Sequence, residues 1–256
     1  MWPGGLIFGG VNTAKYQGPL QAFSFKDSDD TVTIPMSEFQ VQTSASTPSN
    51  YTFSSTPLVL SSQYIDTFLP YNAVMQMYAD YNISWVHMDG ENASFGALEC
   101  SRQYTENHTI SLVFGNATIS APWSEFFQTW TDTGLCLFHI QPSTHVYYYP
   151  SSYAGQIGTI FLQRMYLALD YDSRFVAVAA LNENPGSDNI LEIGNGPKIP
   201  DAVGAFPASI VPYTPTPTPT VASSTSTARA AMRTIPPGYG SGAFAGVAGA
   251  ALLAIL

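Results

Sequence analysis

Charged residues are scarce in this sequence of 256 residues. Asp, Glu, Lys and Arg make up 10% of it, whereas they make up about 25% of an average soluble protein. Lys and Arg number only eight, and the formal net charge is −10. Because nucleic-acid binding needs a basic surface, this composition argues against a nucleic-acid partner. Hydrophobic residues make up 45%, so the chain can bury a substantial core, and Ser, Thr, Asn or attached groups must make its surface polar.

The sequence also lacks common motifs of nucleotide and catalytic sites. It contains no glycine-rich phosphate loop and no Gly-x-Ser-x-Gly nucleophile motif. Its four histidines show no spacing typical of metal ligands, and we predict neither a metal nor a cofactor. These histidines are His87, His108, His139 and His145.

Cysteine is almost absent, with only Cys100 and Cys136 in the chain. An oxidising compartment would allow the two to pair. Closing a loop of this length would stabilise the fold by about 3–4 kcal/mol in the chain-entropy model. The alternative is that they are two separate buried thiols.

Asparagine followed two residues later by Ser or Thr is frequent, and this pattern marks acceptors of N-linked glycans. The five acceptors are Asn50, Asn82, Asn92, Asn107 and Asn116. Four of them lie between Asn82 and Asn116, and attached glycans would supply the missing surface polarity. We therefore predict that the protein is secreted.

Short β-prone runs, separated by Gly, Pro, Asn and Ser, extend from Leu6 to about Glu192. This pattern favours an all-β barrel or sandwich. One clear helix is predicted, over YNAVMQMYADY after Pro70, and a short turn around FLQR is a second. The predicted strands are LIFGG, LQAFSF, TVTI, LVL, TISLVF, ATIS, LCLFHI, MYLALDY and RFVAVAAL.

The composition changes near Pro200. Residues 201–242 are rich in Pro, Thr and Ser, which indicates a disordered stalk and spacer that carries O-glycans or acts as a plain linker. Residues 243–256, AFAGVAGAALLAIL, are too few to span a membrane. A polar spacer followed by such a tail is typical of a glycosylphosphatidylinositol (GPI) anchor signal, with attachment expected among Ser224 to Ala231.

The first twenty residues contain neither a charged start nor an apolar run of the kind found in signal peptides. A glycosylated, anchored protein must pass through the secretory pathway. We therefore expect a longer native chain upstream of Met1, or a product that does not reach the membrane implied by its tail.

Several motifs in order resemble the C-terminal lobe of pepsin-like aspartic proteases (peptidase A1), especially the fungal GPI-anchored yapsin and candidapepsin type. The resemblance covers about residues 4–200. The matching segments are LIFGGVNTAKYQGPL, LVLSSQYIDTFLP, the stretch from Cys100 to Cys136, GQIGTIFLQRMYLALDYDSRFVAVAA and SDNILEIGNGPKIP.

This resemblance implies an all-β, pepsin-like C-terminal lobe over residues 1–200, with a few short helices and a Cys100–Cys136 disulfide loop. In the family, a bilobal domain holds one catalytic Asp in each lobe. The resemblance therefore also implies an N-terminal lobe that has no counterpart here, and we expect it to be a missing partner.

Within LVLSSQYIDTFLP, alignment from Pro70 places Ser61 at the family's catalytic Asp, Ser62 at its Ser/Thr, and Gln63 at its Gly. Aspartic proteolysis needs two close carboxylates that share a proton, and a serine hydroxyl cannot replace one. Asp66 lies five residues further along, on the outgoing arm, where we expect it to point away from a catalytic pair.

A later motif also departs from the family. Thr159 stands where the family has an Asp after Gly158, whereas Gly158, Phe161 and Leu162 match and indicate packing. The leading interpretation is a secreted, cell-surface, GPI-anchored, aspartic-type endopeptidase-like protein without catalysis in this chain. Alternatives are the C-terminal part of a longer acid peptidase or peptide-binding protein, and a structural or adhesive surface glycoprotein.

Overall fold

The computed structural model describes residues 5–25, 31–43, 47–87, 94–130, 134–143, 155–193 and 199–206. Its strands are β1 (Gly10–Asn12), β2 (Tyr16–Ser24), β3 (Thr33–Thr43), β4 (Ser49–Leu60), β5 (Thr67–Leu69), β6 (Ser84–His87), β7 (Ser94–Glu99), β8 (His108–Phe114), β9 (Ala117–Pro122), β10 (Phe127–Trp130), β11 (Leu135–Phe138), β12 (Ile140–Pro142), β13 (Gly155–Ile157), β14 (Met165–Asp170), β15 (Phe175–Leu181), β16 (Ile190–Glu192) and β17 (Ala202–Phe206). Its helices are α1 (Tyr71–Asp80), α2 (Arg102–Thr105) and α3 (Thr159–Leu162), with 3-10 turns at Thr13–Lys15 and Trp123–Phe126. The all-β fold expected from the sequence is confirmed.

The described strands form four sheets. The largest has seven strands in the order β12-β5-β13-β4-β3-β8-β9. Two four-stranded sheets have the orders β14-β15-β2-β17 and β10-β11-β7-β6, and β1 pairs with β16. Three of the pairings are parallel, namely β12 with β5, β13 with β4, and β17 with β2. Within these residues no helix is long and apolar enough to cross a membrane.

Alternation of side chains determines which face of the seven-stranded sheet is buried. In β9, Ala117, Ile119 and Ala121 are buried, whereas Thr118 and Ser120 between them are exposed. The core residues Ile110, Leu112 and Phe114 of β8 follow the same period of two, because successive side chains of a strand point to opposite faces. Ser111 on the opposite face of β8 is nevertheless buried as well. The buried face packs with the apolar side of α1 in the main hydrophobic core.

The predicted disulfide between Cys100 and Cys136 is present, with Cα atoms 5.0 Å apart. This separation lies within the range that a disulfide can bridge. The bond connects the end of β7 to its neighbour β11, with which β7 pairs in register at Cys136 and Leu98. The alternative of two separate thiols is therefore wrong.

Strand β17 closes one edge of the β14-β15-β2-β17 sheet, beside β2. The fully buried side chain of Gln21 donates hydrogen bonds to the backbone oxygens of Val203 (2.8 Å) and Gly204 (3.3 Å). The fold thus continues to Phe206, beyond the boundary at residue 200 that composition indicates. The remainder of the predicted stalk and the apolar tail lie outside the described residues, as do Asn92 and His145.

Two local predictions differ from the structure. The run LIFGG forms no strand before Gly10, because Gly9 has φ of 74°, a left-handed conformation that interrupts extended backbone. Helix α2 was not predicted, since its four residues are too short to show a helical period. Helix α1 over residues 71–80 and strand β8 match the predicted segments closely.

Strand β13 lies between β4 and β5, parallel to β4 and antiparallel to β5. This arrangement leaves no space for side chains at two glycines. A Cβ atom on Gly155 would lie 2.0 Å from the Phe68 oxygen, and one on Gly158 would lie 2.2 Å from the Ile65 oxygen. Because these neighbours are backbone atoms, they cannot turn aside as a flexible side chain can.

We expect Gly158→Ala to lower the free energy of unfolding by about 1–3 kcal/mol or more, since overpacking forces the backbone to shift. Gly186→Ala is the matched control, because a Cβ there meets no atom within 4 Å and a surface change of this kind alters stability by only about 0.5 kcal/mol. Urea unfolding of both variants measures the difference. Equal stability of the two would show that the crossing tolerates a side chain.

His108 packs in an aromatic cluster and lies within the loop that the Cys100–Cys136 disulfide closes. Its ring centroid lies 5.4 Å from that of Tyr81 and 5.2 Å from that of Trp123. Its Nε2 lies 3.5 Å from a carboxylate oxygen of Glu106, and its buried Nδ1 has no hydrogen-bond partner among the described residues. Burial lowers the pKa of His108, and the Arg102 charge adds to this effect, while the Glu106 carboxylate opposes it.

This environment predicts a loss of stability in acid. Because the pKa of His108 is lower in the folded protein than the usual value of about 6.5, the unfolded chain takes up a proton at a pH where the folded chain does not. The free energy of unfolding therefore decreases as the pH falls below about 6.5, until the folded pKa is reached. Urea unfolding from about pH 4 to 8 should show this slope, and His108→Gln should flatten it. Identical slopes for the two proteins would contradict the prediction.

Candidate functional site

The candidate site is the loop of residues 61–66 that connects β4 to β5. The strand before it is built from a buried apolar run, in which Leu58 and Val59 are almost completely inaccessible. Ser61 follows directly and is buried, and its backbone N–H donates to the oxygen of Ile157 in β13 (3.0 Å). The parallel pairing of β4 with β13 therefore fixes where the chain turns.

Ser62 and Gln63 are exposed at the tip of this loop. The chain then returns through Tyr64, whose backbone oxygen accepts a hydrogen bond from the N–H of Thr159 (2.9 Å). At the base of the loop the hydroxyl of Thr67 accepts from the N–H of Gly158 (3.1 Å). Both arms of the loop are thus held by the segment that runs from β13 into α3.

Asp66 lies on the outgoing arm and contacts His139. Its carboxylate oxygen is 2.9 Å from Nδ1 of His139, and the side chains are 31% and 7% exposed, respectively. The backbone of His139 is also fixed, because its oxygen accepts a hydrogen bond from the N–H of Thr67 (2.9 Å). The carboxylate of Asp66 is therefore engaged in an ion-pair or hydrogen-bond contact that anchors the loop to the connection between β11 and β12.

Nothing in the sequence indicates this contact. The two residues are 73 positions apart, and His139 follows an ordinary β-prone run. Only the pairing of β12 with β5 brings them together. The sequence predicts a role in holding the loop neither for His139 nor for Thr67.

Buried polar groups hold the start of β12, which directly follows His139. The hydroxyl of Tyr78 donates to the backbone oxygen of Ile140 (2.6 Å), and the amide oxygen of Gln141 accepts from the N–H of Gly96 (3.2 Å). Burial, together with the Asp66 carboxylate, raises the pKa of Tyr78 well above its usual value. Tyr78 therefore remains a neutral hydroxyl and serves as a structural hydrogen-bond donor.

An open depression of about 570 Å³ lies beside the Asp66–His139 contact. His139 and Ile65 form part of its wall, with Phe127 and Ile160 as further apolar residues. Its remaining lining is uncharged and polar apart from Glu125. That carboxylate is already bound by the guanidinium of Arg164.

The loop has no carboxylate at residue 61, the position that the family resemblance assigns to this lobe's catalytic Asp. Asp66 is the only acid in residues 61–70, and its oxygen is directed to His139. Thr159 begins α3, while Phe161 and Leu162 are buried in the core, as predicted for packing residues. In the described part of the chain, no three His, Cys, Asp or Glu side chains come together as a metal site would require.

The predicted glycan acceptors that fall within the described residues lie at the surface. Asn50, Asn82, Asn107 and Asn116 are all exposed. Asn82 has φ of 50° and follows α1 at a turn. The acceptors are therefore accessible, which is the arrangement that modification requires.

Comparison with known proteins gives a consistent result. Residues 2–181 match the family model described as eukaryotic aspartyl protease. The probable aspartic-type endopeptidase opsB of Aspergillus fumigatus is 28% identical over 211 residues, which cover 78% of this chain and 41% of that relative. Aspartic proteinase yapsin-3 of Saccharomyces cerevisiae is 25% identical over 216 residues, which cover 79% of this chain and 38% of that relative.

The chain thus spans about two fifths of the length of the curated relatives that it matches. Its strand-built fold and the order of its motifs agree with the family model, which covers most of the chain. We conclude that the chain belongs to the eukaryotic aspartyl protease family.

Proposed function

We propose that this chain is an aspartic-type endopeptidase-like lobe that does not cleave peptide bonds by itself. The observation that carries the proposal is Ser61. It occupies the buried turn directly after β4, at the position that the family resemblance assigns to the catalytic Asp. Gln63 stands at the family's glycine, and its side chain is exposed at the loop tip.

The chemistry supports this proposal. In the family mechanism one carboxylate removes a proton from the attacking water while its partner, which carries the shared proton, polarises the scissile carbonyl. A serine hydroxyl does not titrate near the working pH and takes neither role. Asp66 is held by His139 on the outgoing arm, so it does not replace the missing acid.

A second candidate function is that of one lobe within a longer acid peptidase or peptide-binding protein. The ribbon of β1 and β16, with the residues that lead into it, exposes large apolar side chains. Phe8 is 88% exposed, Leu6 56% and Ile190 53%. Such side chains favour a protein partner, and an N-terminal lobe of the kind that the family resemblance implies would cover them.

We also propose that the protein is secreted and attached to the cell surface, where plasma membrane or cell wall would hold it through a GPI anchor. The disulfide supports an oxidising compartment. The exposed glycan acceptors support the same route, and the composition of residues 207–256 supports a stalk with an anchor signal.

Peptidase activity provides the direct test. We expect the purified chain to show no pepstatin-sensitive cleavage of a denatured protein from about pH 3 to 6, since loss of one acid–base group costs about 10²–10⁴-fold and here both are lacking. The double variant Ser61→Asp with Gln63→Gly should gain activity only when an N-terminal lobe supplies the second Asp. Ser62→Asp with Gln63→Gly is the matched control, because it places the carboxylate one residue away. Pepstatin-sensitive cleavage by the unaltered chain alone would contradict the proposal.

Anchoring is tested separately with the full chain expressed behind a secretion leader in fungal cells. We expect the protein at the cell surface, and a phosphatidylinositol-specific phospholipase should release it. Removal of residues 243–256 should send it into the medium instead, because the anchor signal is lost. A surface-bound fraction that is unchanged by this truncation would show that another feature retains the protein.

A further inference from the structure

The outward face of the seven-stranded sheet has an unusual composition. Strand register places its residues in rows, such as Asn50 opposite Gln40, Gln40 opposite Ser111, and Ser111 opposite Ser120. We call this set of outward residues of β3, β4, β8 and β9 the outer sheet face. It consists of Glu38, Gln40, Gln42, Asn50, Thr52, Thr109, Ser111, Val113, Thr118, Ser120 and Pro122.

Glu38 is the only charged side chain in this set. Its carboxylate accepts a hydrogen bond from the amide of Gln40 (2.7 Å), and the hydroxyls of Ser111 and Ser120 lie 2.8 Å apart. The polar groups thus bond to one another, and the face has little charge to keep molecules apart in solution. A broad surface of this kind calls for another source of hydration.

Three glycan acceptors surround this face. Asn50 lies on it, Asn107 precedes β8 at one end, and Asn116 lies in the turn between β8 and β9 at the other. The seven residues of β8 separate the two ends by about 24 Å. Attachment points therefore stand at both ends of the face and on β4, two strands away from β8.

The hydroxyl residues of these three acceptors are all on the outer sheet face. They are Thr52, Thr109 and Thr118, each two residues after its asparagine. The other two acceptors, Asn82 and Asn92, have serine in that position. The three acceptor sites of the chain that have threonine two residues after the asparagine are thus all at this face.

We propose that Asn50, Asn107 and Asn116 carry N-linked oligosaccharides that together cover the outer sheet face. In each transfer, Nδ2 of the asparagine loses a proton and bonds to C1 of the first sugar. The bond from that carbon to the diphosphate of a lipid-linked oligosaccharide donor breaks, and the lipid diphosphate leaves. The proposal rests on the secretory route in the proposed function and is independent of the loss of catalysis.

If glycans cover the outer sheet face, this face and the ribbon of β1 and β16 have different roles. The glycans would hydrate a weakly charged face and keep protein partners from it. No described acceptor lies on the ribbon of β1 and β16, where the large apolar side chains are exposed. That ribbon would remain available for a protein partner.

For the test, the full chain is expressed behind a secretion leader in a host that attaches N-linked glycans. The leader ensures that the protein enters the secretory pathway, so the experiment measures only whether each asparagine carries a glycan. Mass spectrometry of glycopeptides should find Asn50, Asn107 and Asn116 occupied, with higher occupancy than at Asn82 and Asn92. Secreted protein with its disulfide formed but with these three asparagines unmodified would overturn the proposal while leaving the secretory route intact.

The covering role is tested by the triple variant Thr52→Ala, Thr109→Ala, Thr118→Ala, which removes the acceptors but keeps the asparagines. We expect three fewer glycans and a several-fold lower soluble concentration. Changing the same threonines to Ser is the matched control, because the acceptors remain. If the alanine variant fails to fold, enzymatic removal of glycans from the folded protein gives the same comparison by light scattering. Equal solubility with and without the three glycans would refute the covering role.

Discussion

The passage of β13 between β4 and β5 is the constraint on which the rest of the site depends. It brings the backbone of residues 155–158 against the backbone oxygens of Ile65 and Asp66 on the outgoing arm and of Phe68 in β5, so Gly155 and Gly158 have no space for a Cβ. The same contact fixes Ser61 through the Ile157 oxygen and Tyr64 through Thr159. Backbone packing therefore determines the shape of the loop, and it does not depend on which side chain stands at residue 61.

Under the proposed function, this independence explains how the loop can keep its form with Ser61 at the position of the acid. The loop is held by backbone groups, by the hydroxyl of Thr67 and by the contact of Asp66 with His139, while the side chain of Ser61 contributes to none of these contacts. Backbone atoms of the loop thus stabilise its shape, whereas the side chain at residue 61 would determine its chemistry. A change from Asp to Ser removes a titrating group and leaves the backbone contacts in place, consistent with the general separation of fold from function.

The sequence predicted those features that have a local signal. Alternating side chains revealed strands such as β8 and β9, and the period of α1 was visible after Pro70. The presence of only two cysteines pointed to the Cys100–Cys136 pairing, which the structure confirms, while the assignment of Ser61 to the catalytic position depends on the family resemblance alone. Contacts that depend on non-local pairing remained hidden: Asp66 with His139 requires β12 beside β5, and Ala202–Phe206 joins the fold only because β2 offers a parallel edge. The residues of β12 and of β17 contain no pattern that indicates which strand each will pair with.

The position of β17 also determines how the fold would respond to a force on its C-terminal side. A pull applied at Phe206, where the described residues end, acts on the fold through this strand. The strand lies parallel to β2, and its backbone oxygens at Val203 and Gly204 accept hydrogen bonds from the Gln21 amide. When the strand is pulled along its own axis, all of its hydrogen bonds to β2 share the force, so they do not break one after another. Force then spreads through β2 to β15 in the middle of the sheet. The lobe is thus suited to being held at its C-terminal side under tension.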